Sequence, residues 1–405
     1  MNAHDIRCSN DLKLSQQLLE HPDIKRVNSQ LAQQAEDHGA LKVRRHLLAT
    51  SVRLSERMAP HVHKIADRCI ERLGIEIPVE LYVFASPQYN AACFKPEDGR
   101  LFIMFASSLL EHFDDQEVGF VMGHELGHHL YRHHDIPIGH VLRGRQKPDA
   151  RLALELFAWS RYAEISADRA GAHCTEKLGT VAKALFKLAS GLSDRTIAFQ
   201  LDDFLRQVDE MQVHDGEPGQ GAPKEDWFST HPFSPLRVKA LALFYRSALA
   251  QPDGTPKEQL EVAVQSIMSL MEPSYLEGRT GVAESMRRAL FAAALAVANA
   301  DGEITAAETE VFEKFFGSGS LSDRIDVEKT VGELDARLAT VREQASSSQR
   351  TQLLRDLCLI AGAEDHVGEL ERAVMDDVAD KLDLPRGLVC QTLDGTVELG
   401  LAPNA

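Results

Sequence analysis

Two histidines and a glutamate stand at the spacing of a metal-binding helix. The segment reads His124-Glu125-Leu-Gly-His128, so the two imidazoles project from one face of a helix and can share one metal ion. Glu125 lies beside such an ion rather than on it. A carboxylate in that place can accept a proton from a zinc-activated water. The pattern therefore predicts a hydrolytic zinc site with Glu125 as its general base.

A chance match in a histidine-rich helix is the alternative to a metal site. The preceding run Val118-Gly-Phe-Val-Met122 is apolar, and the small residues Gly123 and Gly127 permit close approach of a second element. A helix that is apolar on both sides of a polar cluster is a buried helix. Because burying two histidines and a carboxylate without partners is costly, a bound zinc ion is the favoured interpretation.

A catalytic zinc takes three protein ligands and keeps one position open, so a third ligand is needed downstream. The candidate is Glu164. Small residues in its predicted helix would allow tight packing against the first helix: Ala163, Ala167, Ala170 and Gly171. Asp168 lies one turn further on the same face, where it is suited to accept the free ring N–H of a ligand histidine. A solvated helix face with ordinary i,i+4 spacing is the alternative for both acids.

The combination of the histidine motif with Glu164-x-x-Ala-Asp168 resembles the HtpX and CAAX-prenyl-endopeptidase family of gluzincin metallopeptidases, including its BepA-like members. The downstream segment Thr230-His-Pro-Phe-Ser-Pro-Leu-Arg237 is similar to that family's block in which a His-Pro precedes an arginine. The strand pattern from Val79 to Phe84 and the segment at Asn90 are similar to its sheet above the zinc. The resemblance covers roughly residues 45 to 245 and implies a zinc peptidase.

Two further residues take candidate catalytic roles from this resemblance. It implies that His231 approaches the zinc or stabilises the oxyanion, and a residue before proline is extended, so it can project from a loop into a cleft. Arg237 either pairs with an acid or aids the oxyanion, and a purely structural ion pair stays open. The other histidines after the motif are expected at the surface or at helix ends: His129, His133, His134 and His140.

A small antiparallel sheet of about three strands is predicted before the motif, because the apolar period changes to two from Pro78. Its strands are Val79–Phe84, Asn90–Phe94 and Leu101–Phe105. An extended substrate can add to a free edge of such a sheet, here at Asn90, Ala91 and Ala92. Residues 41 to 73 are predicted helical, and Asp114 with Glu117 predicts a capping box at the start of the motif helix.

Composition excludes several classes of protein. The 405 residues carry 44 basic and 61 acidic side chains, a formal charge of -17 that disfavours nucleic acid as a partner. The longest apolar run, Leu290 to Ala298, is far shorter than a bilayer span, and the first residues lack the pattern of a secretory signal. A cytoplasmic protein with a protein or peptide substrate and no membrane span is expected, unlike the integral-membrane relatives. Six scattered cysteines without a CxxC pair predict no disulfide framework.

The C-terminal part is a separate acidic unit, with 24 acidic and 13 basic residues from Glu277 onward. The acidic segments 300–308 and 363–371 form a two-fold repeat of helix, acidic turn and helix. This repeat resembles the TerB-like helical domain of tellurite-resistance proteins over about residues 281 to 393. Its clustered carboxylates could hold a weakly bound divalent cation. The favoured alternative is helix capping and compensation of the helix dipole.

The sequence thus predicts a mainly α protein with a small antiparallel sheet, followed by an all-α accessory domain. The predicted domains are a zinc metallopeptidase at 1–275, with its core at about 45–245, and an acidic TerB-like unit at 276–405. The predicted function is hydrolysis of peptide bonds with one catalytic zinc, gated by His231 or by the C-terminal domain. The alternative is a non-hydrolytic binding or stress-sensing protein whose zinc site is closed by His231. Substrate, cleavage preference and oligomeric state do not follow from the sequence.

Overall fold

The computed structural model describes residues 2–38, 42–144, 148–175, 177–215, 230–271, 281–300, 326–362 and 367–393, with residues 309, 312, 313 and 316. These residues are mainly helical and include one small sheet. The chain divides into two compact units. The first comprises the described residues of 1–208 and 230–257, and the second comprises the described residues of 209–229 and 258–405. The predicted boundary near Tyr275 stays a prediction.

The first unit carries the sheet, the histidine motif and eleven of the described α-helices. Its helices are α1 (Ser9–Glu20), α2 (Pro22–His38), α3 (Lys42–Thr50), α4 (Pro60–Leu73), α5 (Ser107–His112), α6 (Asp115–Leu130), α7 (Ile138–Arg143), α8 (Ala150–Cys174), α9 (Leu178–Ser190), α10 (Leu201–Asp215) and α11 (Ser234–Tyr245). A short 3-10 helix at His133–Asp135 follows α6. The last residues of α10, from 209, are grouped with the second unit.

The sheet has four strands in the order β1-β2-β4-β3. They are β1 (Val52–Leu54), β2 (Val79–Phe84), β3 (Ala91–Glu97) and β4 (Arg100–Ala106). The predicted antiparallel arrangement is wrong for one pair, since β2 and β4 run parallel. The reason is the path of the chain after β2, which first reaches the outer edge of the sheet and forms β3 there. The chain then turns back through Asp98 and Gly99, and β4 takes the interior position between β2 and β3. Both turn residues have positive φ, as a tight two-residue hairpin requires.

The predicted continuous helix over 41–73 is also wrong. It is divided into α3 and α4, and β1 lies between them. Pro60 occupies the first position of α4, where its missing N–H costs nothing. A three-residue strand carries too few residues to show an alternating pattern, and its pairing with β2 is a tertiary contact.

Helices α6 and α8 pack at the centre of the first unit, and their glycines allow the close approach. A Cβ at Gly127 would stand 2.7 Å from the Cβ of Ala170, and one at Gly171 would stand 2.6 Å from the backbone oxygen of Phe120. A Cβ at Gly123 would likewise meet Sγ of Cys174 at 2.7 Å. The small residues of both helices therefore set the distance between the two elements that carry the candidate ligands.

The described residues of the second unit form helices and short connections between helices. Its helices are α12 (Lys257–Met268, continued by a 3-10 turn at Ser269–Met271), α13 (Gly281–Ala298), α14 (Val327–Gly332), α15 (Leu334–Gln344), α16 (Ser347–Ala361), α17 (Glu369–Lys381) and α18 (Gly387–Leu393). One apolar core joins them, with the alanine-rich α13 fully buried at Leu290 and Leu295. The two predicted apolar helices before the acidic turns are α13 and α16.

Candidate metal centre

Helix α6 starts at the predicted capping box. Asp114 accepts hydrogen bonds from the backbone of Gln116 and Glu117, and the Glu117 side chain accepts one from the Asp114 backbone N–H. The helix then buries every residue from Glu117 to Gly127, including His124 and Glu125. The motif therefore lies inside the first unit, as its apolar flanks predict.

Three ligand atoms converge between α6 and α8. The Nε2 atom of His124 lies 3.5 Å from Oε2 of Glu164, and Nε2 of His128 lies 3.4 Å from Oε1 of the same carboxylate. Among the described residues, these three are the group of metal-ligating side chains whose donor atoms all lie within 4.8 Å of one another. Helix spacing and the packing of α8 thus bring together the three residues proposed as ligands.

The donor set fits a cation. Both histidines use Nδ1 for other hydrogen bonds, which leaves their Nε2 atoms facing each other at 3.2 Å. Two imidazole lone pairs at that distance repel each other unless a positive charge lies beside them. The Oε2 atom of Glu164 is buried and accepts no hydrogen bond, so a cation at this position would satisfy it. Two imidazoles and a carboxylate form the ligand set of a catalytic zinc.

Asp168 holds the first histidine in place. Its Oδ1 lies 3.0 Å from Nδ1 of His124, a distance at which it can accept the ring N–H. Arg237, on α11, donates to the same carboxylate from Nε at 2.8 Å and from Nη2 at 2.6 Å, and Nη2 also lies 3.4 Å from Oε2 of Glu164. Of the two roles left open for Arg237, the contacts are those of an ion pair with an acid.

The second histidine has a support that the sequence interpretation missed. Nδ1 of His128 lies 2.9 Å from Nδ1 of His133, whose Nε2 lies 3.1 Å from Oδ2 of Asp11 on α1. His133, predicted at the surface or at a helix end, begins the short 3-10 helix after α6 and is buried, with 6% exposure. His129 and His134 are half-buried, and His140 is exposed. The five-residue spacing from His128 to His133 was visible in the sequence, but nothing in the helical pattern of α1 singled out Asp11.

A small cavity of about 190 Å³ opens beside the ligands. Glu125, Asn90, Ala91, His231 and Arg237 are among its lining residues. The His231 side chain is 64% exposed, and its Nε2 lies 3.5 Å from Oε1 of Glu164. The structure therefore brings His231 and the start of β3 to the same opening as Glu125.

Strand β3, which carries Ala91 and Ala92, is an edge strand. It pairs with β4 on one side, with Ala91 opposite Phe105 and Ala92 opposite Met104. No further strand of the described residues pairs with its other side. The backbone of β3 can therefore accept an added strand next to the cavity.

The carboxylates around the ligands are held in the ionised form. Burial raises the pKa of Glu164, but its contacts with His128, His124 and His231 outweigh that effect and place the pKa well below its usual range. Burial also raises the pKa of Asp168, and the Arg237 guanidinium outweighs that effect and lowers it. An ionised Glu164 is the form that binds a cation.

Some predicted features lie outside the described residues. They include Asp301, Glu308 and Glu364 of the acidic repeat, and with them the suggested cation site of the second unit. The segment from Val213 to Lys224 before His231 is rich in turn residues and is a candidate cover of the cleft, and its residues 216–224 also lie outside the described residues. Within the described residues, no helix combines the length and apolar character that a bilayer crossing requires.

Comparison with known protein families gives two matches. Residues 56–144 and 149–243 match peptidase family M48, and residues 287–389 match the tellurite resistance protein TerB. The first match includes every proposed ligand, and His231 with Arg237 lies at its end. The comparison with solved structures gives no match.

Three curated proteins are similar to about half of this chain. The plastoglobule-localized metallopeptidase 48 of Arabidopsis thaliana chloroplasts is 28% identical over 211 residues, 49% of this chain and 61% of that protein. A protease HtpX homologue of Methanosarcina mazei is 25% identical over 46% of this chain and 74% of its own length. A protease HtpX homologue of Pelotomaculum thermopropionicum is 27% identical over 46% of this chain and 77% of its own length. The chain thus spans less than two thirds of the Arabidopsis relative.

Proposed function

We propose that this chain is a zinc-dependent endopeptidase, because residues 56–144 and 149–243 match peptidase family M48, residues 287–389 match TerB, and its relatives include protease HtpX homologues. His124, His128 and Glu164 would hold the ion through the Nε2 atoms and the carboxylate described above. Zinc in such a site supplies Lewis acidity, which makes water a nucleophile near neutral pH. The observation that supports this proposal is the convergence of three ligand atoms beside a cavity that Glu125 also lines.

Glu125 would act as the proton carrier of the reaction. It follows His124 on α6, so its carboxylate lies beside the ligands while lining the cavity from which a peptide bond would approach. As general base it would take a proton from the attacking water, and as general acid it would pass that proton to the leaving amine. Burial of the side chain, which is 9% exposed, limits exchange of that proton with bulk solvent.

Arg237 and Asp168 would position the ligands. Their paired hydrogen bonds fix the carboxylate that accepts from His124, and Arg237 adds positive charge beside Glu164. His231 would act at the same cavity, either as an oxyanion stabiliser or as a gate that must move aside. Its exposure and its 3.5 Å distance from Glu164 support both roles.

The experiment compares zinc content and casein hydrolysis for wild type, Glu125→Gln and His231→Ala. Glu125→Gln should keep its zinc and lose turnover by about 10²- to 10⁴-fold, because the proton carrier is gone and the ligands remain. Glu111→Gln is the matched control, since Glu111 is an exposed glutamate on α5. Full activity in Glu125→Gln would refute the assigned mechanism.

His231→Ala tests the gate. Activity that appears only in His231→Ala would identify a latent enzyme closed by this histidine. Zinc retained without cleavage by any form would favour the alternative function, a non-hydrolytic zinc-containing binding protein.

The substrate is proposed to be a protein segment in extended form, added to the free edge of β3. Main-chain hydrogen bonds would then bind it beside the cavity with little demand on its sequence. The hydrogen bond from the Ala106 N–H to the Asn90 oxygen and the register of β3 with β4 place the Ala91 N–H on the free side of β3. Ala91→Pro removes that N–H and should raise KM for a peptide while zinc content stays unchanged. Unaltered peptide turnover would exclude β3 as the binding edge.

A further inference from the structure

The N-terminal helix α1 carries a fully buried carboxylate that contacts the helices of the metal centre. Asp11 is 0% exposed. Arg7 donates to it from Nε at 2.7 Å and from Nη2 at 3.1 Å, Trp159 from Nε1 at 3.1 Å, and Ser166 from Oγ at 2.7 Å. Since Trp159 and Ser166 both belong to α8, this carboxylate ties α1 to the helix that carries Glu164.

The fourth partner of Asp11 leads to a proposed metal ligand. His133 places its Nε2 atom 3.1 Å from Oδ2 of Asp11 and its Nδ1 atom 2.9 Å from Nδ1 of His128. A ring that faces a carboxylate through Nε2 carries its proton there, which leaves Nδ1 as an acceptor. His128 then donates from Nδ1, and its Nε2 lone pair is directed at the metal position.

Arg7 completes the charge balance of this chain of hydrogen bonds. Its guanidinium makes two hydrogen bonds with Asp11, so the carboxylate already has a positive partner and does not require a charged His133. A neutral His133 is what the contact with His128 needs, because a doubly protonated ring would place two N–H groups against each other.

We propose that Asp11 and His133 are positioning residues of the metal centre, which fix the tautomer and the ring orientation of His128. This inference rests on the proposed function, because it takes His128 as a zinc ligand. Each histidine ligand is then linked through its Nδ1 atom to a carboxylate. Asp168 contacts His124 directly, and Asp11 is linked to His128 through His133. The match to peptidase family M48 begins at residue 56, so Asp11 lies outside it.

The competing role for these residues is stabilisation of the fold alone. A structural network would change the melting temperature when it is broken but leave the zinc affinity of the folded protein unchanged. A positioning network would change the zinc affinity in a way that depends on whether an acceptor for His128 remains. The two roles are therefore separated by metal binding and not by stability.

The experiment measures zinc affinity of the full chain, freed of metal, by competition with a chromophoric chelator. His133→Leu removes the acceptor and should weaken zinc binding by about 10- to 100-fold. His133→Asn keeps an amide oxygen close to the place of Nδ1 and should recover most of that loss. Asp11→Asn should weaken binding by less than about tenfold, because an acceptor for His133 remains. His134→Gln is the matched control and should bind as wild type does.

Cobalt substitution provides a second readout that does not depend on turnover. The visible d–d bands of the Co²⁺ form report the ligand geometry, so they should shift in His133→Leu and match wild type in His133→Asn. Melting temperatures of the metal-free variants give the structural effect separately.

Three results would overturn the proposal. The first is wild-type zinc affinity in folded His133→Leu, and the second is an equal loss in His133→Leu and His133→Asn that follows their melting temperatures. The third applies if His133→Leu does not fold. In that case, Asp11→Asn and a folded His133→Gln would both have to show wild-type zinc affinity and wild-type spectra. If the wild-type protein binds no zinc, both the proposed function and this inference are refuted. If the protein binds zinc but cleaves nothing, and zinc affinity is still lower in His133→Leu, the peptidase function is refuted and the inference is supported.

Discussion

The two units of this chain use their interiors differently. The first unit buries charged side chains around its ligands, among them Asp11, Glu164, Asp168 and Arg237. The second unit buries an apolar core built on the alanines and leucines of α13. Burying charge is costly unless each group has partners, whereas apolar burial is favourable everywhere. The first interior thus combines apolar packing with a cluster of paired charges beside the candidate ligands, whereas the core around α13 is built on apolar packing.

Removal of Asp168 should have the largest effect on the first unit. Asp168→Ala leaves the buried Arg237 without its main partner, which typically costs about 3–5 kcal/mol of the free energy of unfolding. Loss of the acceptor for His124 should also weaken zinc binding by about 10- to 100-fold. Chemical denaturation and chelator competition measure the two effects. Asp168→Asn is the control that keeps the acceptor, and wild-type stability in Asp168→Ala would contradict the comparison.

A cavity in the core of the second unit should destabilise that unit alone. Leu290→Ala removes a fully buried side chain from α13 and should cost about 2–5 kcal/mol. Hydrogen exchange should rise in α13 and α16 while zinc affinity stays unchanged. Leu370→Ala, which changes an exposed leucine on α17, is the control. A change in zinc affinity would show that the two interiors are energetically coupled.

Acid should destabilise the first unit before the second. Burial raises the pKa of Asp11, but hydrogen bonds from His133 and Arg7 outweigh it and lower the pKa well below its ordinary value, and Arg237 does the same for Asp168. A carboxyl with a lowered pKa in the folded state contributes stability above its unfolded pKa, near 4, and loses it as pH falls through the folded value. The loss is about 1–3 kcal/mol per group.

Hydrogen exchange of the metal-free protein between pH 5 and pH 2.5 tests this order. Protection in α6 and α8 should fall before protection in α13 and α16. In the second unit, the carboxyls of Glu333 and Asp380 also have lowered pKa values, caused by hydrogen bonds with Arg337 and Arg386, but both are exposed to solvent. Simultaneous loss of protection in both units would show that buried carboxylates do not govern the acid response.

The smallest effect is expected at an exposed ion pair of the second unit. Arg386 donates to Asp380, and both side chains are exposed. Solvent screens such pairs, so Arg386→Ala should leave the denaturation midpoint unchanged within error. A clear destabilisation would mean that surface charge contributes to this unit more than its apolar core suggests.

Local patterns predicted the part of the site that lies within single helices. The motif in α6, its capping box and the small residues of α8 all act between neighbours three or four residues apart, where sequence spacing translates directly into geometry. The same spacing placed Asp168 on the face of α8 that carries Glu164, from which it contacts His124. The match to TerB agrees with the helical repeat interpreted from residues 300–308 and 363–371.

Pairings between distant segments were decided only by the tertiary structure. The order of the strands depends on where the chain passes after β2, which an alternating pattern does not encode. His133 and Asp11 are 122 residues apart, and Trp159 and Asp11 are 148 apart. Asp11 looks like an ordinary helix acid in sequence, because its burial depends on α8 packing against α1. The sequence thus predicted which groups could bind a metal, and long-range packing decided which groups contact them.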